Sequence, residues 1–310
     1  MSTAASASPA RRRAVYVGRL AVFALAVVGA LAGIGVFLTH AVGDPLADVR
    51  AYYDAGARLN AGLPLYPADQ DVNAPTAYFY PPLFAILFRP LAALPYDVAA
   101  AIWTGIVVAA FVATLWLAGI RRPATWIAVG ILGMPIGWAL AIAQAESVVT
   151  LLLTIGSPFG IALAANIKLF PLLAGVWFLG RRDWHRLALL AGWTAALGLV
   201  QLVLEPQATR DFLQAVRPQW VGEVRNLSPY AISPVLWAVL LGGGVFLAWR
   251  LAPTRWGWAA AVALSVLATP RLLLYVFMTL LAALRQPAGA AAATSDARAP
   301  ADALRLDSAR

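Results

Sequence analysis

The sequence predicts an all-α polytopic membrane protein, and three observations predict it. Of 310 residues, 62% are hydrophobic and only 12% are charged. The apolar residues fall into uncharged blocks of roughly 20, the length at which a helix crosses the hydrocarbon layer with its backbone groups satisfied. The 23 Lys and Arg, set against 14 Asp and Glu, sit in short clusters between those blocks, where the positive-inside rule accounts for them. The formal charge of +9 therefore does not imply a nucleic-acid partner; the partner implied by composition is the lipid bilayer. With no cysteine there is no disulfide framework and no thiolate metal site, and His40 and His185 are the only imidazoles. No metal and no cofactor are expected.

Arg11, Arg12, Arg13 and Arg19 precede the first apolar block, residues 20–39, so residues 1–19 read as a cytoplasmic basic tail and the block as a retained signal anchor. Residue 40 onward then lies outside. In residues 48–61, Val49, Tyr52, Tyr53, Gly56 and Leu59 recur at helical spacing among Asp48, Arg50, Asp54 and Arg58, the pattern of a short amphipathic helix on the membrane face. Pro64, Pro67 and Pro75 break the chain after it. Tyr78, Phe79, Tyr80, Pro81 and Pro82 then lead into a run of about 13 residues ending near Pro95, too short to cross and so interfacial or re-entrant.

Residues 97–120 span inward to Arg121 and Arg122, and 124–143 return outward to Gln144 and Glu146. Residues 147–180 fit either one crossing with a re-entrant pair or a series of short helices. Arg181, Arg182, His185 and Arg186 mark an inside loop, and 187–204 climb outward again. A second external loop, about 205–230, is polar, helical in places and anchored by Trp220; 231–249 then return to Arg250. The block 256–284 has two apolar halves meeting at Thr269, Pro270 and Arg271, which fits a short hairpin. Residues 286–310, rich in Ala and mixed charges, lack periodicity and read as a disordered cytoplasmic tail. Residues 20–285 thus form one transmembrane domain of about seven to ten crossing or re-entrant helices, with external loops at about 40–96 and 205–230.

Few residues in such a chain can do chemistry. Asp48 opens the amphipathic helix, where an anion also suits the helix dipole without any function; Asp54, six residues on, points to another side. Lys168 lies deep in an apolar run, where a lone ammonium faces a cavity or a partner, or else snorkels to an interface. Arg271 stands beside Pro270, which breaks the helix at a permanent cation. With Arg89, these cations form either a cradle for a phosphate or a set of structural ion pairs. Tyr78, Phe79 and Tyr80 read as an interfacial belt or as a shelf for a sugar face. Gln144 and Glu146, at a span end, are of a kind usually just solvated. No phosphate-binding loop, dinucleotide fingerprint or Ser/His/Asp arrangement occurs.

The order of these features resembles a known family. Asp48, Tyr52, Tyr53, Ala55, Gly56, Leu59, Gly62, Pro64, Leu65 and Tyr66 form an external helix and turn. They are followed by aromatic-Tyr-Pro-Pro-Leu at 79–83 and a Pro-Leu-x-x-Leu-Pro ending at 90–95. Then come Gln144, Lys-Leu-Phe-Pro at 168–171, Arg-Arg-x-Trp at 181–184, Asn-x-Ser at 226–228 and Pro-Arg-x-x-x-Tyr at 270–275. Over residues 15–285 this resembles the GT-C glycosyltransferases of family 87, which include polyprenyl-phosphate-mannose-dependent α-mannosyltransferases of envelope assembly. Val276 stands where that family often carries an acid or a His.

The resemblance implies a GT-C-like bundle in the plasma membrane with its active site on the extracytoplasmic face. A polyprenyl-phosphate sugar donor and a glycolipid or glycan acceptor would be its partners. Asp48 would be the general base of an inverting, metal-independent transfer of a hexose, mannose by preference. Lys168, Arg271 and Arg89 would hold the donor phosphate, and Tyr52, Tyr53, Tyr80, Gln144, Asn226 and Tyr275 would line the substrate site. The alternative is a non-catalytic binder or transporter of lipid-linked sugars on the same scaffold, whose intramembrane charges serve passage.

Overall fold

The computed structural model describes residues 9–67, 71, 73–74, 76–215 and 226–287; Pro75, Trp220 and most of the C-terminal tail lie outside them. The chain begins with α1 (Pro9–Gly43) and the amphipathic α2 (Ala47–Asn60), then α3 (Pro82–Ala92) and α4 (Tyr96–Ala118). A bent pair comes next, α5 (Pro123–Ile131) and α6 (Gly133–Ala141), then α7 (Glu146–Ile155), α8 (Pro158–Ile167), a 3₁₀ turn at Phe170–Gly175 and α9 (Val176–Gly180). The second half contains α10 (Trp184–Leu204), α11 (Pro206–Ala215), α12 (Pro234–Leu251), α13 (Gly257–Leu267) and a 3₁₀ segment at Leu274–Leu284. Among the described residues, four helices are long and apolar enough to cross a membrane, and the bent pair makes up to five. Their outer faces carry rows of exposed Leu, Val, Ile and Phe, the surface that lipid covers.

The span expected over residues 124–143 is broken. α5 and α6 meet at 71° around Leu132, because Pro135 has no N–H for the Ile131 carbonyl and its ring crowds that turn. The ambiguous stretch 147–180 is the series of short helices, none long enough to cross. The expected hairpin after residue 256 is present as α13 and the 3₁₀ segment. In the latter, Tyr275, Met278 and Leu281 are buried in one row and Val276, Thr279 and Ala282 in another. That period of three matches the three residues per turn of a 3₁₀ helix.

Two packing devices fix the framework. The first is a Gly-x-x-x-Gly contact between α1 and the bent pair: a Cβ on Gly133 would collide with the Gly29 carbonyl oxygen, and one on Gly33 with that of Gly133. Only glycine lets the two backbones approach so closely. We expect Gly133→Val to lose about 2 kcal/mol or more of stability, seen as a lowered unfolding midpoint in detergent. Gly35→Val, whose Cβ meets nothing within 4 Å, should leave the midpoint in place.

The second device is an aromatic knot. Tyr52 packs edge-on against Phe84 at 4.7 Å, Phe88 at 5.7 Å and Trp103 at 5.7 Å, tying α2 to α3 and α4. Trp103 donates its indole N–H to the Ala143 carbonyl at 2.8 Å. Gly56 admits α3 at close range, since a Cβ there would lie 2.9 Å from Ala92 Cβ. The motif residues Tyr52, Ala55, Gly56 and Leu59 are therefore the buried face of α2, spaced as helical packing requires.

Candidate active site

Asp48 lies one turn before Tyr52 and so on the same side of α2. The knot that buries Tyr52 thereby aims Asp48 into a cavity of about 760 Å³, within the range of small-ligand sites. Two turns that deliver residues here are left-handed at non-glycine positions, Leu46 at φ 54° and Ala143 at φ 49°, each at a cost of about 1–3 kcal/mol. The Asp48 carboxylate does not cap its helix, which has no side-chain cap bond. Instead Tyr80 donates its hydroxyl to Asp48 Oδ1 at 3.4 Å. Burial pushes the Asp48 pKa up to about 7; Lys168, the Tyr80 hydrogen bond and Arg271 oppose that rise, and Asp44 adds to it.

Lys168, at the end of α8, faces the same cavity. Its ammonium pairs with Glu146 and lies 4.9 Å from the Tyr275 ring centroid and 5.7 Å from that of Tyr80. Glu146 is 1% exposed and also accepts the Thr279 hydroxyl. This corrects the reading of Glu146 as a solvated span end: it is the buried counter-ion of the site. Arg271 completes the cationic side. Its guanidinium lies 4.9 Å over the Phe79 ring, and its buried Nε has no hydrogen-bond partner among the described residues.

The other expected residues divide. Tyr80 and Tyr275 line the cavity. Gln144, fully buried, is a bracket rather than a lining group: it accepts from Tyr52 at 2.6 Å and donates to Tyr80 at 3.0 Å. Tyr52 is buried behind the wall, also accepting from the Ala145 N–H at 3.2 Å. Tyr53 is held at the far side of α2 by the Leu94 carbonyl at 2.8 Å. Arg89 is not brought to the cationic side; it pairs with Glu205 at 2.9 Å and donates to Asn60 at 3.0 Å, joining α3 to α10 and α2. Asn226 makes its bonds to the backbone around Arg271. Asp54 is an exposed charge paired with Arg50 at 3.1 Å.

One cluster was not expected. Asp44 lines the cavity and binds His40 Nδ1 at 2.7 Å, while the His40 ring stacks on Trp138 at 4.7 Å, nearly parallel. The sequence signal was available: Asp44 lies four residues before Asp48 and just past the end of α1. The carboxylates of Asp44, Asp48 and Glu146 thus line one cavity with Lys168 and Arg271. An anion can be held by the cations while a carboxylate with a pKa near neutrality accepts a proton.

The fold and site together define an integral-membrane, all-α protein of GT-C-like architecture, with a charged cavity set beside its membrane helices. Residues 78–295 match the family model described as glycosyltransferase family 87. The chain belongs to that family. The match begins beyond Asp48, so the placement of Asp48 rests on the geometry of the cavity.

The chain is also 32% identical over 211 residues to a polyprenol-phosphate-mannose-dependent alpha-(1-2)-phosphatidylinositol pentamannoside mannosyltransferase from Mycolicibacterium smegmatis, a match that covers 62% of this chain. The chain spans about half, 50%, of that relative's length. No solved structure matches.

Proposed function

We propose that the protein transfers a hexose, mannose by preference, from a polyprenyl-phosphate donor to a hydroxyl of an envelope glycolipid or glycan on the extracytoplasmic face. The observation that carries this reading is the presence in one cavity of a carboxylate, Asp48, held by the Tyr80 hydroxyl, together with two cations, Lys168 and Arg271. The membership in family 87 and the polyprenol-phosphate-mannose dependence in the relative's name support the donor class.

The step balances without further reactants. The acceptor oxygen attacks the anomeric carbon, and its proton passes to Asp48. The bond from that carbon to the phosphate oxygen breaks with its electron pair staying on the phosphate. The leaving group changes from a singly charged diester to a polyprenyl monophosphate carrying more negative charge, so cations stabilise the transition state more than the ground state. Lys168, although paired with Glu146, carries three N–H donors and can hydrogen-bond a phosphate oxygen directly. Arg271 makes no ion pair among the described residues and supplies most of the uncompensated charge. Inversion follows from a single displacement.

Incubation with labelled polyprenyl-phosphate mannose and an envelope lipid extract should yield a labelled acceptor lipid. No turnover would leave a binder or transporter as the better account. The pH dependence follows from the base. Asp48 works as the carboxylate, so kcat/KM, which reports the free enzyme, should climb with pH through about 7 and level off above. A rate already flat from about pH 5 to 8 would separate Asp48 from the proton transfer.

A further inference from the structure

Arg271 is held in an unusual way: its backbone is fixed from both sides while its side chain is left with an unmet donor. Pro270 cannot donate a backbone hydrogen bond, so the break between α13 and the 3₁₀ segment exposes peptide groups that a continuous helix would have satisfied. Asn226, at the end of the polar stretch that leads to α12, meets them. Its Nδ2 donates to the Pro270 carbonyl at 2.9 Å, and its Oδ1 accepts the Leu272 N–H at 3.0 Å. One planar amide therefore binds the residue before Arg271 and the residue after it. The same Oδ1 accepts the Ser228 N–H at 2.9 Å, and the Leu227 N–H donates to the Leu272 carbonyl at 2.8 Å.

The head of Arg271 contrasts with this. Its Nε is buried and without a partner among the described residues, and the Phe79 ring, its centroid 4.9 Å from the guanidinium carbon, offers that N–H no acceptor oxygen. An unmet buried donor on a cation carries the full desolvation penalty of that group, and an anion in the cavity would relieve it. Just beyond Asn226, Tyr230 and Trp237 form part of the wall of that cavity.

We infer that Asn226 is the positioning residue for Arg271: docking of its loop through the Asn226 amide presets the guanidinium as a receptor for a phosphate monoanion or dianion borne by a lipid. Asn226 itself touches no substrate. The inference rests on the reading of Arg271 as the donor-phosphate cation, and it ties docking of the loop to formation of the phosphate site.

The test is a double-mutant cycle read by binding. Decaprenyl phosphate is titrated into the protein in lipid nanodiscs, with decaprenol as the control lacking phosphate. Asn226→Ala should raise the Kd for decaprenyl phosphate about tenfold, as expected for loss of one or two net hydrogen bonds, and leave the decaprenol control unchanged. In an Arg271→Ala background the same substitution should do nothing further. If Asn226→Ala does not fold, Asn226→Ser, which keeps one polar group, carries the same cycle. Full additivity in the cycle, or an unchanged Kd in the Asn226 variants, overturns the inference. If Arg271→Ala alone leaves the Kd unchanged, the fault lies in the phosphate reading of Arg271, and the inference falls with it. Hydrogen exchange adds a local readout: Asn226→Ala should speed exchange at Leu272 and leave α4 unchanged.

Discussion

Asp48→Asn is expected to lower kcat by about two to four orders of magnitude, the contribution of a positioned general base, while the protein stays folded and still binds its donor. The amide is nearly isosteric with the carboxylic acid, and Tyr80 can still donate to its oxygen as it does to Asp48 Oδ1. Stability should not fall, because burial already disfavours the charged carboxylate. Donor affinity should be equal or better, since the phosphate loses a like charge in the same cavity while Lys168 and Arg271 remain. Single-turnover transfer and decaprenyl phosphate binding, measured on the same preparation, separate these effects. Transfer at the wild-type rate would remove Asp48 as the base; loss of binding in parallel with rate would make it a structural residue. Asp54→Asn, at an exposed pair on another side of α2, should change neither.

The second large effect concerns the pair of Lys168 and Glu146. Lys168→Ala leaves Glu146 buried and unpaired, with Thr279 as its remaining side-chain partner among the described residues, a loss of about 3–5 kcal/mol. Donor binding should fail as well, but that single variant cannot assign the failure. Replacing both charges, Lys168→Met with Glu146→Gln, removes the orphan charge, fills similar volume and lets the new amide still accept from Thr279. Such swaps are often neutral for stability. The double variant should therefore unfold near the wild-type midpoint in detergent yet bind decaprenyl phosphate weakly. Recovery of both properties would confine Lys168 to structure, and recovery of neither would mean that the pair is not the source of the instability.

Much of the architecture was legible because a bilayer imposes length and polarity on each segment independently of its neighbours. α4, α10 and α12 follow the apolar blocks closely, α1 contains its block but begins at Pro9, within the stretch read as a basic tail, and α2 follows its period of hydrophobic residues. The breaks were less legible. The bend between α5 and α6 follows from Pro135, which a hydropathy pattern does not carry. Residues 147–180 were ambiguous for the same reason: short apolar helices buried by other helices have the composition of lipid-facing ones.

Within the site, Asp48, Lys168 and Arg271 stood out in the sequence because a charge near apolar surface is costly wherever it sits. Three assignments needed the fold. Arg89 looked equivalent to the other cations until Glu205, far along the chain, was found to occupy it. Glu146 looked like a solvated end until burial and Lys168 made it a counter-ion. Asn226 looked like a substrate group until its amide was seen across the Pro270 break.

The sequence by itself determined that this is a membrane protein, where its polar helix lies and which few charges stand at its apolar segments, because those properties are set by local composition against a fixed solvent. Which charges face one another, and which are cancelled before any ligand arrives, only the tertiary structure decided. Ion pairs and amide brackets act over a few ångströms between residues remote in sequence, and no local pattern encodes that meeting.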